Sequence, residues 1–273
     1  MARSMLAGMG AALADLVLPR TCAGCGIPGA MFCAGCAELL ARPRPAAPRR
    51  VPWGFPPTAA AGAYAGPVRP AVLEFKERGR AELARPLGAA LALAVAAVVS
   101  AVPGPLGPWR PVTLVPVPSS RAGLRSRGRD HVRELTVRAV AELRAAGVPA
   151  AEARLLRRRG HVRDSAGLSV AQRRANLSGT FQRVATRPPP APGALLVVVD
   201  DVVTTGATLT EAAAALAAGR PAGATPVLAA VVAATPRAAP ERAPQAHLHV
   251  VPKRSENVCR GPGDRLSGPD GRD

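Results

Sequence analysis

Residues 197–209 read VVVDDVVTTGATL, and no other stretch of the 273-residue chain groups so many chemically competent side chains. The all-apolar run at 194–199 fits a parallel strand covered on both faces. Two adjacent carboxylates, Asp200 and Asp201, close it. Thr204, Thr205, Gly206, Ala207 and Thr208 then turn the chain into a helix expected over 208–218. In open α/β sheets ligands sit beyond the carboxyl ends of strands. Backbone N–H groups of such a turn, its hydroxyls and the positive end of the following helix can converge on one anion, and a phosphate is the natural guest. Gly206 permits close backbone approach. The carboxylates would repel that phosphate. They suit the vicinal hydroxyls of a sugar, which donate to them, or a magnesium ion. Phosphate beside a diol describes a ribose 5-phosphate. The plainer reading, acids ending a strand and threonines capping a helix, leaves the order of strand, acids, turn and helix unexplained.

A second cluster lies near the amino end. Cys22 and Cys25 are one CxxC pair, Cys33 and Cys36 another, with seven residues between the pairs. Each pair can form a knuckle, kept tight by Gly24, Gly26 and Gly35, and two knuckles make a closed four-sulfur site of the structural zinc type. An iron–sulfur cluster is the other occupant such a set can take. Two disulfides or a redox CxxC suit a chain expected in the reducing cytoplasm less well. Cys259 stands alone and reads as a free thiol.

These residues need elements to position them. The sequence predicts a short helix over 1–18, the cysteine module over 19–40 and a stiff Pro/Arg-rich linker over 41–58, where a domain boundary is expected. An α/β pattern follows over 59–236. Helices are expected at 70–78 and 80–100, and a strand at 112–117 leads into a loop at 118–128. Further helices are expected at 129–146 and over LSVAQRRANLSG, and a strand at 225–233 follows the helix at 208–218. Strand, helix, strand at 194–233 is a βαβ unit. Residues 237–273 read as a flexible tail.

Bulk composition bounds the function. Arginine and lysine total 36 against 18 acids, a net charge of +18, which invites a polyanionic partner. The arginines are nevertheless spread along the chain, and the longest run is Arg157, Arg158 and Arg159. Aromatic residues make up only 3% of the chain, so stacking platforms for single-stranded nucleic acid are few. No stretch reads as the roughly 20 strongly apolar residues of a membrane span; segments 87–102 and 227–234 come nearest and suit a core. The amino end is a poor secretory signal, since glycines dilute its apolar part and Asp15 follows. The four histidines, His131, His161, His247 and His249, lack metal-ligand spacing and are expected on the surface, His131 in a mobile loop.

The DDVVTTGAT core resembles the PRPP-binding motif of type I phosphoribosyltransferases. With YAGPVRPAVLEFKERG at 64–79, LVPVPSSRAGLRSRG at 114–128, AGLSVAQRRANLSGTF at 166–181 and the cysteine module, the chain over residues 12–236 resembles the ComF family. These competence-associated proteins join a short zinc finger to such a domain. The resemblance implies a type I phosphoribosyltransferase fold, a mostly parallel sheet flanked by helices. It implies that Asp200 and Asp201 orient the ribose, that 204–208 hold its 5-phosphate, and that Ser119, Ser120 and Arg121 belong to the pyrophosphate loop, with Lys76 reaching the pyrophosphate. It also implies PRPP with Mg2+ as ligand, structural Zn2+, and a role in DNA uptake with single-stranded DNA or an uptake helicase or recombination protein as partner. Where relatives carry an aromatic–Asn pair after RG, this chain has Arg129 and Asp130, in a loop expected to be mobile. Displacement of pyrophosphate from the ribose would need no covalent nucleophile, only oriented charges. A metabolic transferase acting on a base, and a regulator that binds PRPP or a nucleotide without reacting it, fit the same residues.

Overall fold

A computed structural model describes residues 20–103, 110–159, 179–218, 220–221 and 224–236. The helices expected at 1–18 and over LSVAQRRANLSG fall outside these residues, apart from Gly179, as do Cys259 and the expected tail. All the described residues belong to one compact unit.

Six strands form the central sheet: β1 (Arg44–Pro45), β2 (Thr58–Ala63), β3 (Val112–Pro116), β4 (Ala150–Glu152), β7 (Leu195–Val203) and β8 (Leu228–Ala234). Their order is β1-β2-β8-β7-β3-β4. Only the β1–β2 pair is antiparallel; the other four pairings are parallel. Between β4 and β7 a separate antiparallel pair, β5 (Leu156–Arg158) and β6 (Phe181–Arg183), stands off the sheet. The helices are α1 (Ala34–Glu38), α2 (Val68–Lys76), α3 (Ala84–Ser100), α4 (Arg121–Arg127), α5 (His131–Ala145) and α6 (Ala207–Ala217), with one 3-10 turn at Ala81–Leu83. The fold is α/β with a mostly parallel sheet flanked by helices, as the apolar run at 194–199 requires.

Period-2 alternation along β7 divides the core. Leu195, Val197 and Val199 join a cluster with Phe75 of α2, Leu87 and Leu91 of α3 and Leu135 of α5. Leu196 and Val198 join the opposite cluster with Leu209 and Leu216 of α6 and with Leu156 and Phe181 of the hairpin. Full burial of a side chain such as Phe75 contributes about 2 kcal/mol.

Several expectations change on folding. Residues 41–58, read as a linker, supply β1, and Ala46 and Phe55 from the same segment pack on the α6-side core. Proline at the sheet edge costs no ladder bond there, so a segment without periodicity still adds a strand. The stretch expected as loop 118–128 contains α4: Ser120 caps it by accepting from Gly123 N at 3.0 Å, and Gly128 ends it at φ +65°. No apolar face is needed for a helix held by its two caps. The 20 residues Ala81–Ser100 are also long and apolar enough to cross a bilayer by length and composition, contrary to the sequence reading, which was diluted by alanine. In this fold the helix is a core element whose most apolar window is 61% buried. Gly88 lets it approach α5, because a Cβ there would lie 2.4 Å from Arg138 Cβ.

Candidate functional site

From β3 the chain moves outward to β4, whereas from β7 it moves the other way to β8. The order therefore reverses between β3 and β7, which is where open α/β sheets form their crevice. The strands end unequally at this point. The β3 ladder stops with Pro116 opposite Val199, while β7 continues beside β8 from Asp200 opposite Val231 to Val203 opposite Ala234. Asp200 and Asp201 thus occupy the part of β7 that has lost its β3 neighbour. They do not terminate the strand as the sequence suggested.

The two carboxylates line one cavity but are buried to different extents. Asp201, 3% exposed, faces the α2 and α5 side. Lys76 Nζ, from the last turn of α2, lies 2.8 Å from its Oδ2, and His131 Nε2, from the first turn of α5, lies 3.3 Å from the same oxygen. Oδ1 accepts from Val202 N at 2.8 Å. Asp200 is partly exposed, and its Oδ1 accepts from Asp201 N at 2.9 Å.

The electrostatics follow this split. Burial alone would raise Asp201, yet the His131 contact and the Lys76 charge outweigh it and hold the carboxyl below the usual range. Burial, and next the negative charge of Asp201, push Asp200 well above that range. Burial would lower Lys76, but its pairing with Asp201 prevails and raises it.

His131 was expected on the surface in a mobile loop; instead it is buried, 3% exposed, and part of the site. Asp130 places it. Its carboxylate caps α5 by accepting from Arg133 N at 3.3 Å and also accepts from Ser119 Oγ at 3.1 Å. The ring sits edge-on to Phe75, centroids 6.4 Å apart. Arg129 locks the same corner: it donates to Phe75 O at 2.8 Å, lies 4.4 Å over the Phe75 ring and pairs with Glu134. The Arg129–Asp130 departure is thus a built corner of the fold. The signal for His131 in the sequence was its place directly after a helix-capping Asp.

A cavity of about 490 Å³ at the crevice brings together Lys76, Ser119, Ser120, His131, Asp200, Asp201, Thr204 and Thr208. Arg158 lines it as well. Its Nε donates to Pro118 O at 3.0 Å and its guanidinium lies 5.2 Å over the Phe181 ring. Burial lowers its pKa, against the attraction of Asp200. Sequence reasoning saw Arg158 only as one of three consecutive arginines; the β5–β6 hairpin selects the one that reaches the crevice. Arg121 lines a separate cavity of about 290 Å³ on the other side of Ser119, with Arg154, Arg157 and Arg158. Lys76, expected at a pyrophosphate, is engaged by Asp201.

The turn after β7 has the anticipated form. Gly206 adopts φ +75° and precedes α6 without a side-chain cap, so first-turn amides of α6 have no intrahelical partner. Thr204 and Thr205 are exposed, and Ala207 and Thr208 are partly so. Gly206 itself is covered by the segment that read as a linker: a Cβ there would meet Phe55 Cε2 at 2.8 Å and Pro48 Cγ at 3.0 Å.

The Sγ atoms of Cys22, Cys25, Cys33 and Cys36 lie within 4.8 Å of one another. Cys22–Cys36 and Cys25–Cys33 are each 3.6 Å apart. A tetrahedral zinc with sulfur bonds of about 2.3 Å sets its ligands roughly 3.8 Å apart, so the set fits a structural metal such as zinc. Burial raises Cys22, but N–H groups of Cys25, Cys33 and Gly24 outweigh it and lower the thiol to about 6, whereas burial and the neighbouring sulfurs push Cys36 well above the usual thiol range. The cluster is docked on the α/β body. Ala23 and Leu40 enter its core, and a Cβ on Gly62 of β2 would come 2.4 Å from Leu39 O. Among the described residues no other group of His, Cys, Asp and Glu is arranged to hold a metal. The chain matches no protein-family model and no curated protein.

Proposed function

We propose that this chain is a ComF-like protein with a type I phosphoribosyltransferase fold that binds PRPP or a related ribose 5-phosphate ligand. The observation that carries the reading is the crevice at the strand-order reversal, where the acid pair, the Ser119–Ser120 loop and the amino end of α6 line one cavity. In this reading the α6 amides and Thr204–Thr208 take the 5-phosphate, the acids take the sugar side, and Ser119, Ser120 and Arg158 face the pyrophosphate. Magnesium would arrive with the pyrophosphate it neutralises. The four cysteines take zinc, which keeps the amino-terminal module folded against α2.

Two roles follow from such a site. In transfer, pyrophosphate leaves the ribose as an acceptor attacks, and oriented charges lower the barrier. In sensing, the ligand is bound without reaction. A competence-associated role in handling incoming DNA, through a protein partner or single-stranded DNA itself, rests on the resemblance to the ComF family and on the basic charge.

The test is calorimetric titration of the full chain with PRPP plus magnesium, followed by incubation with a panel of bases and a pyrophosphate assay. Saturable binding supports the proposal, and base-dependent pyrophosphate release assigns transfer. Binding without release assigns sensing. Heat no greater than the dilution control rejects the proposal.

A further inference from the structure

The cysteine module touches α2 at both of its ends. At the start, Gly24 of the first knuckle meets Pro67, which holds the N-cap position of the helix. A Cβ on Gly24 would fall 2.9 Å from Pro67 O and 2.8 Å from Cys36 Sγ, so the knuckle seats there only because the residue is glycine. Just past the other end, Arg80 Nη1 reaches back and donates to Thr21 O at 3.2 Å. Between these contacts α2 runs from Val68 to Lys76, and its last residue lies 2.8 Å from Asp201 in the crevice. The chain leaving the module also reaches the opposite wall, where Pro48 and Phe55 pack over Gly206.

Little in the module besides its sulfurs can fix this shape. Of residues 20–40 only Cys22, Ala23, Cys36 and Leu40 are buried, and two of these are cysteines. Its regular structure is the five-residue helix Ala34–Glu38 and a bridge between Thr21 and Pro28. A segment this small folds as its metal binds. We infer that the cysteine cluster is a splint for α2, so that metal occupancy there and sugar-phosphate binding at the crevice are coupled. This rests on the proposed ribose 5-phosphate reading of the crevice. The coupling runs through charge. When the splint loosens, Lys76 is no longer held against Asp201, and a carboxylate without its cation repels an anionic ligand.

The experiment titrates ribose 5-phosphate into the full chain loaded with zinc and into the same protein after chelation. Affinity falls about tenfold on chelation, within the usual span of couplings between sites. Reciprocity then requires ribose 5-phosphate to tighten zinc by the same factor, read by competition with a chromogenic chelator. Hydrogen exchange without any sugar phosphate locates the effect: on chelation the amides of α2 lose protection and those of α3 keep it. Arg80→Ala leaves all four cysteines in place, so it retains its zinc, yet it binds ribose 5-phosphate about threefold more weakly, the scale of one lost hydrogen bond. No binding to the zinc-loaded wild type overturns the proposed function and the inference with it. Binding that is equal with and without zinc, or equal in Arg80→Ala and the wild type, overturns the inference alone. Loss of protection in both helices, or in neither, does the same, because the module would then hold up the whole fold or no part of it.

Discussion

Lys76, in the last turn of α2, and Asp201, in the strand-end segment of β7, meet at 2.8 Å across the α2–sheet junction. The lysine is pulled to this point by the apolar face of its own helix. Val68, Ala71, Val72 and Phe75 are buried, and the turn that seats Phe75 delivers the next residue to the crevice. Removing the ammonium leaves a carboxylate closed from water, with Val202 N donating to its Oδ1 and the His131 imidazole 3.3 Å from its Oδ2. Lys76→Met is expected to lose about 2 kcal/mol of stability, a buried charge stripped of its partner, and urea denaturation at neutral pH measures it. A change under about 0.5 kcal/mol would show that the pair is no stronger than a surface one.

The acid pair predicts a two-sided pH dependence. Asp201 sits below its unfolded value of about 3.9, so the stability it contributes is present above that pH and is lost as pH falls through the folded value. Asp200 sits above it, so its contribution is full below about 3.9 and is lost as pH rises through the raised folded value. Stability should therefore climb as the pH drops from neutral toward about 4, then fall. Asp200→Asn should raise stability at neutral pH and flatten that climb, read by thermal melts across the range. An unchanged profile in this variant would contradict the coupling.

Gly206 combines a left-handed backbone with a Phe55 ring and Pro48 packed over it. Gly206→Ala must bear the φ strain and displace the ring, for a combined cost of about 2 kcal/mol. Weakened sugar-phosphate binding should accompany it, because the α6 amides move with the turn. Adding Phe55→Ala relieves the clash but not the φ, so the double variant should recover only part of the loss. Full recovery would remove backbone strain from the explanation.

The cysteine cluster predicts about one zinc per chain in metal analysis of the purified protein. Chelation, or Cys25→Ser, should lower the melting temperature, since Ala23 and Leu40 bury their side chains in the main core. A melt unaffected by chelation would show that the module folds on its packing alone.

At Gly88, α3 and α5 are closer than any side chain permits, with Leu135 O 3.3 Å and Arg138 Cβ 2.4 Å from an added Cβ. Gly88→Val should force the helices apart at a cost of about 2 kcal/mol, measured by urea denaturation, with the cysteine cluster still holding its metal. Stability equal to the wild type would mean that the helix pair is loosely seated.

The residues of one continuous stretch were legible without a fold. The run at 194–199, the acid pair, the turn at Gly206 and the helix behind it declare themselves because strand period, φ requirement and helix start are local properties of the chain. The four-cysteine cluster did so too, because CxxC spacing alone sets a sulfur pair within reach of one ion. What tertiary structure decided lies between segments far apart in sequence. It turned 41–58 from a linker into a sheet edge lying on Gly206, through pairing that leaves no periodic trace in so short a strand. It brought His131 and Arg158 to the crevice, where local sequence offered only a surface histidine and a run of arginines. It also made the two aspartates unequal. Their adjacency was visible in the sequence, but Lys76 and His131, which lie against Asp201, come from helices far away along the chain and meet it only once the sheet has formed.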